Sequence, residues 1–399
     1  MTDKIIFWID TEFIYFGLAK YVQKNYDCEC YAVIDVNKNA NKFFDEQKMV
    51  KFKKSWFYLD NVKMNNDVID LDYLKKIEEK YEISLWQIAF SERSFYKYNP
   101  HHKFNRNQIL SILEKECKFY EKILDEVKPD FLIIKTTDWQ QNHLFYELCK
   151  AKNIKVLMTI PTRLGTRYVI SENINMLDKL NHIPKNKNRT TDELLEYFQG
   201  NNTYDFSKKF LEQSQHINWH KIKSILKFFL ELKKSRHTER YSNYNASRFR
   251  VLCNQSSLVL KKIWRKKFLD KKCIKKIKKN ELFIYFPLHI EPERSLSIDA
   301  PYYTNQLEVI TNIAKSIPIN FKVYVKEHPA MSSLHWRSIS FYKKILELPN
   351  VELIHPSIKP KKMYESCSMV VTITGTSGLE AAFYGKPSII LGDVIFNDI

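Results

Sequence analysis

The feature that most narrows the folds open to this chain is a repeated alternation of short, almost wholly apolar runs with longer stretches of helical period. Ile5–Ile9 reads as a buried strand, Phe16–Lys24 as a helix and Cys30–Ile34 as a second strand. The order returns with helix Ile109–Val127, strand Phe131–Lys135, helix Gln141–Lys152 and strand Lys155–Thr159. It returns again near the other end of the chain, with strands Leu282–Phe286, Lys322–Lys326, Val351–Ile354, Met369–Ile373 and Ser388–Leu391. Helices Tyr303–Ser316, Leu334–Leu348, Lys361–Cys367 and Ser377–Tyr384 fall between them. Apolar runs of this kind lack the alternation of a strand with one wet face, so both faces need cover, and the helices supply it. Such units build mostly parallel, doubly wound sheets of the Rossmann type. Residues 37–107 show no clean period apart from Leu85–Phe90, which reads as a further strand.

At 399 residues the chain exceeds what one hydrophobic core usually spans, so two such domains are expected. They are placed at 1–190 and 281–399, joined by a helical segment at 191–280 in which the strand signal nearly vanishes, as in Trp219–Lys234. Charge separates the connector from the domains. The net charge is +18, but 22 of the 64 Lys and Arg, and only 5 of the 46 Asp and Glu, lie between Asp205 and Asn280. Both domains are therefore nearly neutral. Because the last strand is followed by only a few residues, where such a domain normally continues, the C-terminal domain reads as truncated at Ile399. The apolar start is broken by Asp10 and Glu12, and no run elsewhere is long enough to span a bilayer. The seven cysteines are scattered and form no metal-ligand spacing, as expected of reduced thiols in a cytoplasmic protein.

In open parallel sheets ligands gather beyond the carboxyl ends of the strands. Three polar clusters of the C-terminal domain stand there: Pro287–Arg294, Lys326–Ala330 and Thr372–Glu380. In the last, Gly375 and Gly378 permit close backbone approach, Thr374, Thr376 and Ser377 offer hydroxyls suited to a phosphate, and Glu380 can accept from ribose hydroxyls. Simple capping of a helix by Thr376 or Ser377 is the competing reading. His328 can donate to a phosphate oxygen or act as general acid to a leaving phosphate, with Lys326 and Arg337 adding positive charge. The competing reading is a histidine bonded to a loop carbonyl. His289, Glu291 and Glu293 are the candidates for acid/base work, since carboxylates near one another and near an imidazole can have displaced pKa values. They read equally as a solvated loop. At the strand ends of the N-terminal domain, Asp10, Glu12, Asp138, Trp139 and Arg163 are candidate substrate-binding residues, with Trp139 able to stack on a sugar face and Asp138 or Gln140 to bond its hydroxyls.

The succession Phe-Pro-Leu-His-Ile-Glu-Pro-Glu, Lys-Glu-His-Pro and Thr-Gly-Thr-Ser-Gly-Leu-Glu-Ala-Ala-Phe-Tyr-Gly-Lys-Pro-Ser-Ile resembles the capsule polysaccharide biosynthesis proteins, which include Kdo transferases of the GT-B fold. The resemblance covers about Leu282–Gly392. It departs from the family where a Gln-x-Gln-Pro-Glu motif is usual, His289 and Glu291 standing in the two Gln places. The resemblance implies a GT-B glycosyltransferase that moves a sugar from a nucleotide-sugar, a CMP-sugar first and a UDP-sugar second, to a surface or capsular polysaccharide or a lipid-linked acceptor. No cofactor beyond the donor is required and no metal-ligating residues are assigned, with metal dependence left open. The resemblance also implies that His328 and the Thr374–Gly378 turn meet the donor phosphate and that Glu380 meets the ribose.

Assembly of such glycans beside an anionic membrane gives the basic segment 205–280 a role in peripheral attachment to the inner face of the cell membrane. Lys and Arg interleave there with Trp219, Phe228, Phe229, Trp264 and Phe268. A helical hairpin packed on a domain is the competing reading. Rival functions are a CDP-polyol phosphotransferase, a sugar-nucleotide epimerase and, in another class, an RNA-binding protein. The last is disfavoured because the charge and the strand-end polar clusters occupy different parts of the chain.

Overall fold

A computed structural model of the chain describes residues 2–36, 40–63, 68–96, 99, 102–162, 167–176, 178, 190, 192–193, 196–197, 247–291, 293–328, 331 and 337–397. Trp219–Lys234 and Arg163 lie outside them. Two compact units each hold one sheet.

The first unit carries β1 (Asp3–Asp10), α1 (Ile14–Asn25), β2 (Cys28–Asp35), α2 (Asn41–Glu46), β3 (Lys54–Phe57), α3 (Tyr58–Asn61), α4 (Leu71–Tyr81), α5 (Leu85–Ser91), α6 (Arg93–Tyr96), α7 (Arg106–Val127), β4 (Phe131–Lys135), α8 (Gln140–Ala151), β5 (Lys155–Pro161) and β6 (Tyr168–Ser171). Its strand order is β3-β2-β1-β4-β5-β6, the Rossmann order. β1 pairs in parallel with both β2 and β4, Ile5 opposite Cys30 and Phe131. This central strand is buried on both faces, as its apolar run requires. Phe7 and Ile9 join Phe16 and Ile34 on one side, while Trp8 meets Tyr58, Tyr120 and Phe145 on the other.

The expected strand at Leu85–Phe90 is instead helix α5. Ser84 caps it, its hydroxyl accepting the Gln87 N–H at 3.3 Å, and burial falls on Leu85, Ile88 and Ala89. Six apolar residues in a row carry too little period to separate strand from helix; the capping serine was the distinguishing sign. The edge strands β3 and β6, four residues each, had no recognisable signal in the sequence.

The second unit takes helix α9 (Arg248–Lys272) from Leu252 onward, followed by β7 (Leu282–Pro287), α10 (Arg294–Ser297), a 3-10 turn (Pro301–Tyr303), α11 (Gln306–Ser316), β8 (Phe321–Lys326), α12 (Ile339–Leu346), β9 (Val351–Ile354), α13 (Pro360–Ser366), β10 (Met369–Thr372), α14 (Ser377–Phe383) and β11 (Ser388–Ile390). All five strands are parallel, in the order β11-β10-β7-β8-β9. Successive residues of β7 enter opposite cores: Ile284 and Phe286 pack with Ile310 and Tyr342, Phe283 and Tyr285 with Met363 and Tyr364. The last turn of α9 is built into this unit, since Leu269 and Cys273 are buried in its core.

The strand order decides where a ligand can sit. From β7 the chain winds outward through β8 and β9, then crosses to β10 on the other flank. The loops after β7 and β10 therefore depart to opposite faces and leave a crevice between them, the switch point at which open α/β sheets bind ligands.

Candidate functional site

A cavity of about 260 Å³ occupies that switch point. The three polar clusters singled out from the sequence meet in it. Its walls include His289 and Glu293 after β7, Lys326 and His328 at the end of β8, and Thr374, Gly375, Thr376, Ser377 and Glu380 after β10.

The turn after β10 is organised by two buried side chains. Thr372 Oγ1 accepts the Gly375 N–H at 3.1 Å and the Ser377 hydroxyl at 3.3 Å, and lies 3.3 Å from His289 Nε2. The same Nε2 accepts the Thr374 N–H at 3.1 Å. With Nε2 held as an acceptor, the imidazole is the neutral tautomer protonated on Nδ1, as the hydrogen-bond network assigns it. Burial, reinforced by His328 and Arg337, pushes its pKa down to about 3. His289, expected among the acid/base groups, is thus placed as a neutral brace for the turn.

Gly375 is required by contact rather than by φ. A Cβ there would lie 2.6 Å from Thr372 Oγ1 and 3.1 Å from His289 Nε2. Gly378 has a different reason, since its Cβ would strike Ile390 at 2.8 Å and so the glycine lets α14 pack on β11. It does not line the cavity, which corrects its expected place at a phosphate. Gly392, which the sequence reading passed over, is confined in the same way by Ala300 and Thr374.

A second layer pins the loop after β7. Gln306, at the start of α11, accepts the His289 N–H at 2.8 Å and donates to the His289 carbonyl and to Glu291 at 3.3 Å each. Arg337 Nη2 donates to that same carbonyl, while Nη1 meets Glu327 Oε1 at 2.8 Å. Glu327 also accepts the Tyr342 hydroxyl at 2.5 Å and the His328 N–H at 2.7 Å. Arg337 is therefore a buried strut between loops, which corrects its expected role as an anion partner. Glu291 does not line the cavity; of the two carboxylates in its motif, Glu293 does.

The cavity's own charges are displaced by burial. Lys326 is 2% exposed, and burial lowers its pKa to about 8 against the opposing pull of Glu380. His328 is lowered to about 4 by burial, then by Arg337 and Lys326, so its ring is neutral at physiological pH. Glu380 is raised by burial, with the Tyr364 and Thr376 hydroxyls and Lys326 offsetting part of the rise. The Thr376 hydroxyl donates to it at 3.2 Å. Thr374 Oγ1 is buried in the wall with no hydrogen-bond partner among the described residues, an orphaned polar atom of the kind a ligand satisfies.

In the first unit the corresponding switch point lies between β1 and β4. Asp10 closes it in an ion pair with Lys135 Nζ at 2.6 Å while accepting the Glu12 N–H at 3.0 Å; Glu12 itself is exposed. Asp138 is exposed and accepts the Thr136 hydroxyl at 2.7 Å. Trp139 is 37% exposed, and the Arg93 guanidinium lies 5.5 Å from the centre of its ring. Gln140 is not available to bond a sugar: it is wholly buried, its amide 2.5 Å from Glu116.

Thr372, Gln306, Glu327 and Tyr342 were missed as site residues. All are buried and act on other protein groups, so neither charge nor motif marked them; Glu327 and Thr372 stood inside recognised clusters, Gln306 and Tyr342 outside them.

Residues 212–398 match the family model described as capsule polysaccharide biosynthesis protein. None of the curated proteins matches the chain. Among solved structures the chain is similar to UDP-GlcNAc 2-epimerase from Neisseria meningitidis bound to UDP-GlcNAc (14% identity, 99% of this chain and 84% of that one, TM-score 0.27). It is also similar to KpsC of Thermosulfurimonas dismutans, a beta Kdo 2,7 transferase (13% identity, 79% and 78% covered, TM-score 0.33). A third is Anabaena Alr3699/HepE in complex with UDP-glucose (10% identity, 97% and 80% covered, TM-score 0.24). With its second sheet carrying all three motifs at one rim, the chain is similar, over residues 212–398, to the capsule polysaccharide biosynthesis protein family.

Proposed function

We propose that the protein is a glycosyltransferase of the GT-B type and that the cavity of the second unit holds the nucleotide end of its sugar donor. The observation that carries this reading is the meeting, at the switch point, of a buried lysine, a neutral imidazole and an orphaned threonine hydroxyl with a carboxylate one helical turn away. Lys326, the Thr374 hydroxyl and His328 hold the phosphate; Glu380 takes the ribose hydroxyls. The imidazole of His328 donates a hydrogen bond to the phosphate and gains a proton more readily as the leaving group gathers charge, because a neighbouring anion raises its pKa. Glu293, the carboxylate of the first loop that faces the cavity, receives the proton of the attacking acceptor hydroxyl.

A CMP-sugar suits this cavity better than a UDP-sugar. Among the described residues lining it, Lys326 is the cationic side chain at neutral pH, which matches the single phosphate charge of a CMP-sugar rather than the two of a diphosphate donor.

The test is thermal unfolding of the intact chain and of His328→Ala with CMP, CDP, UDP or GDP. CMP at a hundred times its Kd is expected to stabilise the chain by about 2.7 kcal/mol, and the variant to lose most of that. Preferential stabilisation by UDP would move the donor to a UDP-sugar, and no response to any nucleotide would overturn the site.

A further inference from the structure

Helix α9 carries a feature that the nucleotide cavity leaves unexplained. Phe249, Leu252, Ser256, Leu260, Ile263, Lys267 and Lys271 follow one another at spacings of three and four, so they share one face of the helix, with Trp264 beside them. The apolar members are open to solvent: Phe249 is 76% exposed, Leu260 60% and Trp264 69%. In the last turn the opposite face packs, through Leu269, while Leu258 farther up that face is 39% exposed. This arrangement inverts the usual surface helix, whose apolar stripe faces the core.

The charge on the same helix is one-sided in sign. Across Arg248–Lys272 there are nine Lys or Arg and one acid, Asp270, and Asp270 lies 3.0 Å from His355 Nε2. Lys261 and Lys266 flank the apolar stripe on either side, and Lys267 and Lys271 extend it. Apolar side chains with a tryptophan on one face, bordered on both flanks by lysines with long flexible stems, suit a helix lying in the plane of a headgroup layer. The apolar side chains enter the acyl boundary while the ammonium groups stay among anionic headgroups.

We propose that this face of α9 docks the protein on an anionic lipid bilayer. The exposed stripe accounts for adhesion and the lysines for selectivity toward acidic lipid. A partner protein, RNA or a second copy of the chain would have to match both the length of the stripe and the positive charge on its two flanks, whereas a planar anionic surface does so without shaped complementarity.

Flotation of the full chain with vesicles tests it. One set is phosphatidylcholine alone, the other includes about one third phosphatidylglycerol. The chain is expected to float with the acidic vesicles only, and to be released by salt. Leu260→Glu with Trp264→Glu, and separately Lys267→Glu with Lys271→Glu, should each weaken that binding by about tenfold or more. Both pairs are on the surface and should leave nucleotide-induced stabilisation as in the parent, which separates this surface from the donor cavity. Equal flotation with neutral vesicles, no flotation of the parent, or undiminished binding of both variants would overturn the proposal.

Discussion

If the cavity binds a donor phosphate as proposed, Lys326 makes that binding sensitive to alkaline pH. Its ordinary pKa of 10.5 falls to about 8 through burial. At neutral pH the empty pocket therefore holds an ammonium group at a cost of about 3 kcal/mol relative to the unfolded chain. A bound phosphate favours the charged form and relieves part of that cost. The sign follows: the form that binds is present below about pH 8 and is lost as pH rises through it. With about half the lysines charged at pH 8 and about a tenth at pH 9, affinity for CMP should fall by about tenfold between pH 7 and pH 9. The phosphate of CMP has already lost its second proton, near pH 6, and adds no slope of its own in that window. Titration calorimetry of CMP across this range is the assay, repeated in buffers of different ionisation enthalpy to count protons taken up. Lys326→Met should bind more weakly at pH 7 and show no fall. Constant affinity in the parent, or the same fall in the variant, would refute the argument.

Three further outcomes are expected. Gly375→Ala pushes a methyl group against Thr372 Oγ1 and His289 Nε2; it should lower stability by about 1–3 kcal/mol and abolish nucleotide-induced stabilisation, read together by thermal unfolding. Arg337→Met leaves the Glu327 carboxylate buried without its cation and should cost about 3–5 kcal/mol in urea unfolding. Adding Glu327→Gln should recover much of that loss, and failure to recover would count against the strut. In the first unit Glu116 is buried, and burial raises its pKa from 4.5 to about 8, so the fold is favoured by the protonated form and loses that support as pH rises toward 8. Stability measured by urea should drop by about 2–3 kcal/mol between about pH 5.5 and 7.5, and Glu116→Gln should flatten the slope.

Much of the fold is legible in the order of residues. Strand Phe131–Lys135 and strand Val351–Ile354 fall where their apolar runs placed them, because residues buried on both faces of a parallel sheet leave an unbroken apolar signature. Helix α7 was equally plain, its Asn105 and Gln108 forming a reciprocal cap at one end and Pro129 following the other. Leu85–Ser91 was misread because a short apolar run fits two periods. Edge strands β3 and β6 escaped because four residues seldom carry a pattern at all.

At the site the division is sharper. Residue types and their positions after strands already brought Lys326, His328, Thr374 and Glu380 to one rim, since the carboxyl ends of parallel strands share an edge. The residue order alone thus carries two doubly wound parallel sheets and a polar rim on the second. Tertiary structure alone decided that β7 and β10 are neighbours, which opens the crevice between their loops. It also decided which polar residues line the cavity and which brace the protein. His289 turns from a candidate proton carrier into a neutral brace, and Arg337 from an anion partner into a buried strut. The physical reason is common to both: a side chain's pKa and hydrogen-bond partners depend on depth and on neighbours distant in sequence, and neither is written in the local order of residues.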